Sequence, residues 1–254
     1  MSRSSEMLEA NQLLQGRRIA ITGAGRGLGR ALAIVAADHG ADIVLLGRDP
    51  GVLAAVAETI RERCDRESLV APCDLAQAAS IRSACAAVLD KNPGLDVLIN
   101  NGAPWLEGNL DDISDTEIAT TVAAAVSGTI LVTKGLLPGL RQSACADIIT
   151  VVSTSGIPAW DRSGGSVPFY AAKHGQSGFS DKLRHELLGT GIRVSAVFPP
   201  DFEDADPTDA NWNTVPGKQA TISARDVVLT LLFILTAPRT CSFPVVIMEK
   251  TSEF

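Results

Sequence analysis

The sequence predicts a single α/β domain in which about seven parallel strands form a doubly wound sheet with helices on both faces. Three observations predict it. Short apolar runs alternate with longer amphipathic ones along nearly all of the 254 residues, as repeated strand-crossover-strand units require. A glycine-rich turn, Thr22-Gly23-Ala24-Gly25-Arg26-Gly27-Leu28-Gly29, joins the first strand to the first helix. Small or polar residues recur where successive strands should end, at Thr22, Gly47, Asp74 and Asn101, and ligands of such sheets lie beyond those ends.

Taken in order, Arg18-Ile19-Ala20-Ile21 reads as a buried strand and Arg30 to Asp38 as the helix that the glycines open. Gly40 can cap that helix in the left-handed conformation. Asp42 to Leu46 is the second strand, so a βαβ unit closes about 20 to 25 residues after the glycine turn, the span of a Rossmann-type dinucleotide-binding unit. Pro50 to Arg63 continues as a helix, Leu69 to Cys73 as the third strand, Ala76 to Asp90 as a helix and Leu95 to Ile99 as the fourth strand. Ser114 to Glu117 has the spacing of a capping box and starts a long helix toward Leu140. Asp147 to Val152, Ile192 to Phe198 and Phe243 to Met248 supply strands five to seven, with helices from Phe169 to Leu188 and from Ser223 onward. Residues 1–15 are expected to form a flexible tail, 16–254 the domain, and 199–222 a lid over the substrate.

The bulk composition narrows the function. A formal net charge of −7, with 46% hydrophobic and 20% charged residues, argues against a general nucleic-acid or membrane-surface binder. The apolar run Val122 to Leu140 contains Ser127, Gly128, Thr129, Lys134 and Pro138, and Val227 to Leu235 is too short to cross a bilayer. Both read as buried helices. Cys64, Cys73, Cys85, Cys145 and Cys241 are scattered and odd in number, which suits reduced thiols in a cytoplasmic protein. His39 and His185 have no ligand spacing, so no metal is expected, and His174, directly after Lys173, reads as a helix-surface or interface residue rather than a group titrating in the site.

The glycine turn is suited to phosphate, because glycines admit the ligand to the backbone and the first-turn N–H groups carry partial positive charge. The residues closing the second strand face the adenosine ribose. An acid there would bond a free 2′-hydroxyl, whereas an arginine favours a 2′-phosphate. Gly47 is neutral and Arg48 follows, with Arg26 on the glycine turn, so NADP is preferred over NAD. The alternative is that Arg48 is a solvated loop charge and Asp49 takes the hydroxyl.

From Gly16 onward the chain resembles the short-chain dehydrogenase/reductase family. The resemblance rests on Thr22 to Gly29 as its T-G-x-x-x-G-x-G turn, on Asp74-Leu75 as its adenine-contacting pair, and on Asn100-Asn101-Gly102-Ala103 where the family has N-N-A-G. It implies hydride transfer between a nicotinamide cofactor and a carbonyl or secondary alcohol. By resemblance, Thr22, Gly23, Arg26, Gly27, Leu28, Gly29, Arg48, Asp74, Leu75, Asn101, Gly102, Lys173 and Pro199 contact the cofactor. Ser153 takes the role of the serine that holds the substrate oxygen, ahead of Ser155. Lys173 takes that of the lysine, which lowers the tyrosine pKa and holds the nicotinamide ribose. The family also implies a homodimer or homotetramer, built on the helices from Ser114 to Leu140 and from Phe169 to Leu188.

The catalytic half departs from the pattern. The family motif is Y-x-x-x-K, and the residue four before Lys173 is Phe169. Tyr170, the chain's single tyrosine, is then a catalytic acid by a one-residue slip or a packed aromatic at a helix start. At about 100° per residue the two positions point in different directions. Ala125 stands where the family has an assisting Asn, Pro200 replaces a glycine, and Asp204 stands near a threonine that meets the carboxamide. The acidic run Asp201, Glu203, Asp204, Asp206 and Asp209 reads as a solvated loop face or a selector for a basic substrate. Trp105, Trp160 and Trp212 fall in loops after strand ends, as pocket walls or core. The leading function is therefore an NADP-dependent oxidoreductase. The alternatives are an NADP-binding relative with little or no redox activity, acting as a regulatory or partner subunit, and a non-redox lyase or isomerase.

Overall fold

A computed structural model of the chain describes residues 12–91, 93–159, 164–210, 212–213 and 222–250. Seven parallel strands form one sheet in the order β3-β2-β1-β4-β5-β6-β7. They are β1 (Arg18–Thr22), β2 (Asp42–Gly47), β3 (Leu69–Pro72), β4 (Val97–Asn100), β5 (Asp147–Val151), β6 (Arg193–Phe198) and β7 (Val245–Ile247). The helices are α1 (Gly27–Asp38), α2 (Pro50–Cys64), α3 (Ala78–Lys91), α4 (Asp115–Val122), α5 (Thr129–Leu140), α6 (Val167–Glu186) and α7 (Ala224–Thr236). The order reverses between β1 and β4, and that reversal opens the crevice in which ligands of such sheets bind.

Alternation along the strands divides the core in two. Ile19, Ile21, Ile43, Leu45, Val97, Ile99 and Ile149 join one apolar cluster with α1, α2 and α7. Ala20, Val44, Leu46, Leu98 and Ile148 join a second, with α3, α5 and the end of α6. A strand whose successive side chains point to opposite faces can be apolar throughout only when both faces are covered.

Two details refine the sequence reading. The fold starts before Gly16, because Leu14 is 1% exposed and its N–H donates to the His39 carbonyl; the rest of the expected tail, 1–11, lies outside the described residues. The long helix expected from Ser114 is interrupted. Ser114 and Glu117 form the capping box at its start, but Ala123–Gly128 widens into a π-turn between α4 and α5. Such a turn inserts one residue and rotates the rest of the helix about its axis. The run Asp115–Leu140 is long and apolar enough to cross a membrane; here Val132, Leu136 and Leu140 are spent on the second core cluster. All five cysteines are free thiols.

The edge of the sheet away from the crevice is held by one carboxylate. Asp147, 3% exposed in its side chain, accepts from Arg17 at 2.8 Å, Arg193 at 2.6 Å and Arg239 at 3.0 Å. The same guanidiniums donate to backbone carbonyls of Cys145, Gly191, Ile234 and Leu235. Three strands and the segment after α7 are thereby tied at one point. Asp147→Ala leaves three guanidiniums, those of Arg17 and Arg193 largely buried, without their anion, and urea unfolding is expected to show a loss of about 3–5 kcal/mol.

Candidate active site

The crevice floor is built from backbone in contact with backbone. Gly23, at φ +67°, lies so close to the β4 end that an added Cβ would stand 2.9 Å from the Gly102 Cα. One added to Gly29 would stand 2.1 Å from the Gly23 carbonyl oxygen. Both positions therefore exclude any side chain, and the turn presents its N–H groups at the start of α1. Thr22 fastens the floor from below: its Oγ1 accepts from the N–H of Asn101 at 3.0 Å and of Gly102 at 2.9 Å. The Asn101 amide donates to the Thr22 carbonyl at 3.1 Å. Leu75 is wedged between Gly102 and Gly128, where added Cβ atoms would meet it at 2.7 and 2.5 Å. The Asp74 carboxylate caps the next turn by accepting from the Ala76 N–H.

Arg48 and Arg26 are exposed at the rim of this crevice. Asp49 is occupied: its Oδ1 accepts from the N–H groups of Gly51 and Val52, capping α2. The acidic segment after β6 also reaches the turn. Asp204 Oδ1 would lie 3.3 Å from a Cβ on Gly27, and Asp206 pairs with Arg30 of α1 at 2.6 Å. Part of the acidic run is therefore drawn to the positive end of α1. Nothing in the sequence pairs these residues across 176 positions. Trp212 belongs to the core beside α1 and α7, and Trp160 lies outside the described residues.

Beyond β5 the chain turns through Ser153, Thr154 and Ser155. The Ser153 hydroxyl accepts from the Ser155 N–H at 3.1 Å and donates to the Ser155 hydroxyl at 3.2 Å. Ser153 is 9% exposed and Ser155 fully buried. The Thr154 N–H donates to the Pro199 carbonyl, joining the turn to the end of β6. A Cβ on Gly156 would meet the Lys173 carbonyl oxygen at 2.8 Å, so the turn rests directly on α6.

Lys173 is 5% exposed. Its Nζ donates to the Val151 carbonyl at 3.3 Å and to Gln176 Oε1 at 3.0 Å. Burial pushes its pKa down to about 7, because an enclosed ammonium loses its hydration. The ring on its face of the helix is that of Phe169, with the amine 5.5 Å from the centroid. Phe169 is 4% exposed and meets Trp105 edge-on at 4.6 Å. Tyr170 is half-buried one position around the helix, and its carbonyl contacts the exposed His174 ring at 3.0 Å.

The family model for short chain dehydrogenases matches residues 17–214. The chain belongs to the short-chain dehydrogenase family. An uncharacterized oxidoreductase of Staphylococcus aureus (strain MRSA252) is 26% identical over 219 residues, 86% of this chain and 90% of its own. A metagenomic short-chain oxidoreductase solved in complex with NADP is 25% identical, with a TM-score of 0.76 over 94% of this chain and 99% of that one. The L-sorbose reductase of Gluconobacter frateurii, complexed with NADPH and L-sorbose, shares the fold with a TM-score of 0.81 at 20% identity, over 94% and 97% of the two chains.

This short-chain dehydrogenase thus gathers Thr22, Gly23, Gly29, Leu75, Asn101 and Gly102 into one crevice floor, and Ser153 and Lys173 at its neighbouring strand end. The sequence reading missed Gln176 and Thr129. A glutamine three residues after a helical lysine was the available signal, since that spacing puts both on one face. A cavity of about 400 Å³ lies at the opposite edge, beside Arg193 and Arg239, whose guanidiniums are bonded to Asp147 and carbonyls.

The Lys173 amine links stability to pH. Between pH 7 and the ordinary lysine value of about 10.4 the unfolded chain binds the proton that the folded chain has lost, so stability rises with pH across that window. Below pH 7 both states hold the proton and the cost is constant. Lys173→Met removes the effect. Urea midpoints at pH 6.5 and 9.5 are expected to show the wild type gaining about 2–3 kcal/mol on the variant.

Proposed function

We propose that the protein is an NADP-dependent oxidoreductase that interconverts a carbonyl and a secondary alcohol. The observation that carries this reading is the buried Lys173 amine, held against the Ser153 turn next to a glycine floor that admits only backbone. The fit to a dinucleotide is physical. Gly23 and Gly29 leave no side chain over the turn, so a diphosphate can reach the N–H groups of α1. Arg48 and Arg26 supply the cations for a 2′-phosphate, while Asp49 is spent on capping α2. This supports NADP over NAD. Binding the diphosphate requires Asp204 to leave Gly27, since two anions cannot share one helix end.

The bound nicotinamide would supply or accept the hydride. Lys173 would hold its ribose, and the Ser153 hydroxyl would donate to the substrate oxygen as negative charge grows there. Phe169 offers no proton at the position from which the family's tyrosine acts. We assign the proton to a water at the Ser153 hydroxyl, with the Lys173 amine, titrating near pH 7, as the nearby group able to replenish it. Tyr170 is the second reading, favoured by its place one residue around the same helix turn. Exposed Val122 and Ile130 on the helices from Asp115 to Leu140 support a homo-oligomer through them.

Two variants test the reading. Arg48→Ala is expected to weaken NADPH binding by roughly 10–100-fold and leave NADH binding unchanged, as fluorescence titration would measure; equal losses for both cofactors would remove the argument for NADP. In assays of NADPH oxidation against ketones and quinones, Phe169→Tyr is expected to raise kcat by ~100-fold or more, with Tyr170→Phe within twofold of wild type. If Tyr170→Phe abolishes turnover and Phe169→Tyr adds nothing, Tyr170 is the acid. No turnover in wild type or Phe169→Tyr, with tight NADPH binding, would favour the cofactor-binding subunit.

A further inference from the structure

We propose that Gln176 is the residue that positions the Lys173 amine, as the first link of a buried side-chain chain running through Thr129 to the Ala125 carbonyl in the π-turn. The inference rests on Lys173 being the working amine of the proposed site, and extends that reading to the residues that hold it.

The bonds have one direction throughout. Lys173 Nζ donates to Gln176 Oε1 at 3.0 Å, Gln176 Nε2 donates to Thr129 Oγ1 at 3.1 Å, and the Thr129 hydroxyl donates to the Ala125 carbonyl at 2.7 Å. Lys173, Gln176, Thr129 and Ala125 are 5%, 1%, 3% and 1% exposed. The carbonyl at the far end accepts and cannot donate, so it fixes the hydroxyl proton. That hydroxyl then takes the Gln176 Nε2, and Oε1 is left facing Lys173. The amide cannot turn over without placing its NH₂ against an ammonium. Bonds aligned head to tail in this way polarise one another.

The backbone is shaped to bring the links together. Gly175 lets α6 approach the π-turn: a Cβ there would stand 2.8 Å from Val126 Cγ2. Ala125 stands at the position where the family resemblance implies a helping Asn. It has no polar side chain, and its carbonyl is reached instead from α6 through two side chains.

Among the described residues the amine's other contacts are longer, the Val151 carbonyl at 3.3 Å and the Phe169 ring centroid at 5.5 Å. Burial is the cause of its low pKa, and no charged side chain among the described residues acts on it. On α6 its titratable neighbours are Tyr170 and the exposed His174; Asp115 and Glu117 of α4 lie in the exposed capping turn, and Asp147 and Arg193 are engaged at the far edge of β5 and β6. Without Gln176 the ammonium keeps the longer bond to the Val151 carbonyl and the face of the Phe169 ring, and loses its 3.0 Å acceptor. An unmet buried cation gives up its proton more readily.

The test is an NMR titration of the full chain with lysine labelled at Cε, the Lys173 signal being assigned by its absence in Lys173→Ala. Gln176→Leu is expected to lower the Lys173 midpoint by about one pH unit or more, and Gln176→Glu to raise it by as much. Thr129→Val, which frees the Gln176 amide to rotate, should lower it by less. If Gln176→Leu does not fold, the other two variants carry the test. Unchanged midpoints in folded variants would overturn the proposal, because a glutamine that only fills space would cost stability without moving the titration. In turnover assays the acid limb of kcat should move with the same midpoint. If the midpoint moves in a wild-type background that shows no turnover, the positioning role stands and the oxidoreductase reading falls.

Discussion

The contact that the whole site depends on is backbone against backbone at the point where strand order reverses. Gly23 touches Gly102, and Gly29 stands under the Gly23 carbonyl, at distances that exclude a Cβ. Thr22 closes the joint from beneath with its hydroxyl. Because no side chain fills this space, a ligand can lie across the ends of β1 and β4 and meet the N–H groups of α1. The other parts of the site are placed relative to that floor. Leu75 bounds it on one side, the Ser153 turn succeeds β5 on the other, and α6 brings Lys173 beneath that turn.

The two halves of the crevice obey different physics. The floor is polar backbone and is ready for an anion, although Asp204 and Asp206 now lean on the same end of α1. The Lys173 side is enclosed. Its amine sits under the Phe169 ring, among carbonyl oxygens and a glutamine amide, and burial brings its titration to about 7. An amine in that range exchanges a proton readily at neutral pH, which an ordinary lysine does not. On the proposed assignment, Phe169 offers no proton donor on this face of the helix, and the amine beside it can hold a proton.

How much of this was legible in the sequence depends on the distance over which each signal acts. Strands and helices are written in local periodicity, and all seven strands fall where apolar runs predicted them, each with one or both ends displaced by one or two residues. The capping box expected at Ser114 is local too, and it forms. The glycine turn, Asp74-Leu75 and Asn101-Gly102 belong to motifs with fixed spacing. Phe169 was visible as a departure because one residue on a helix is a rotation of about 100°. The π-turn was not visible: alanines and a glycine at 123–128 suit an ordinary helix, and the α6 and Leu75 contacts packed against it are distant in sequence. The link from Gln176 to Thr129 spans 47 positions, and the pairing of Arg30 with Asp206 spans 176. Such contacts are set by packing, and neither residue type announces its partner.

The central claim is that the protein keeps a dinucleotide crevice and places Phe169, not Tyr170, on the face of Lys173. A crystal structure with NADP bound tests it most directly. The account predicts the diphosphate on the glycine turn with Asp204 displaced, Arg48 on the 2′-phosphate, and the nicotinamide beside Ser153 and the Phe169 ring. A Tyr170 hydroxyl bonded at Ser153 and the nicotinamide, or a diphosphate lying away from Gly27, would contradict it.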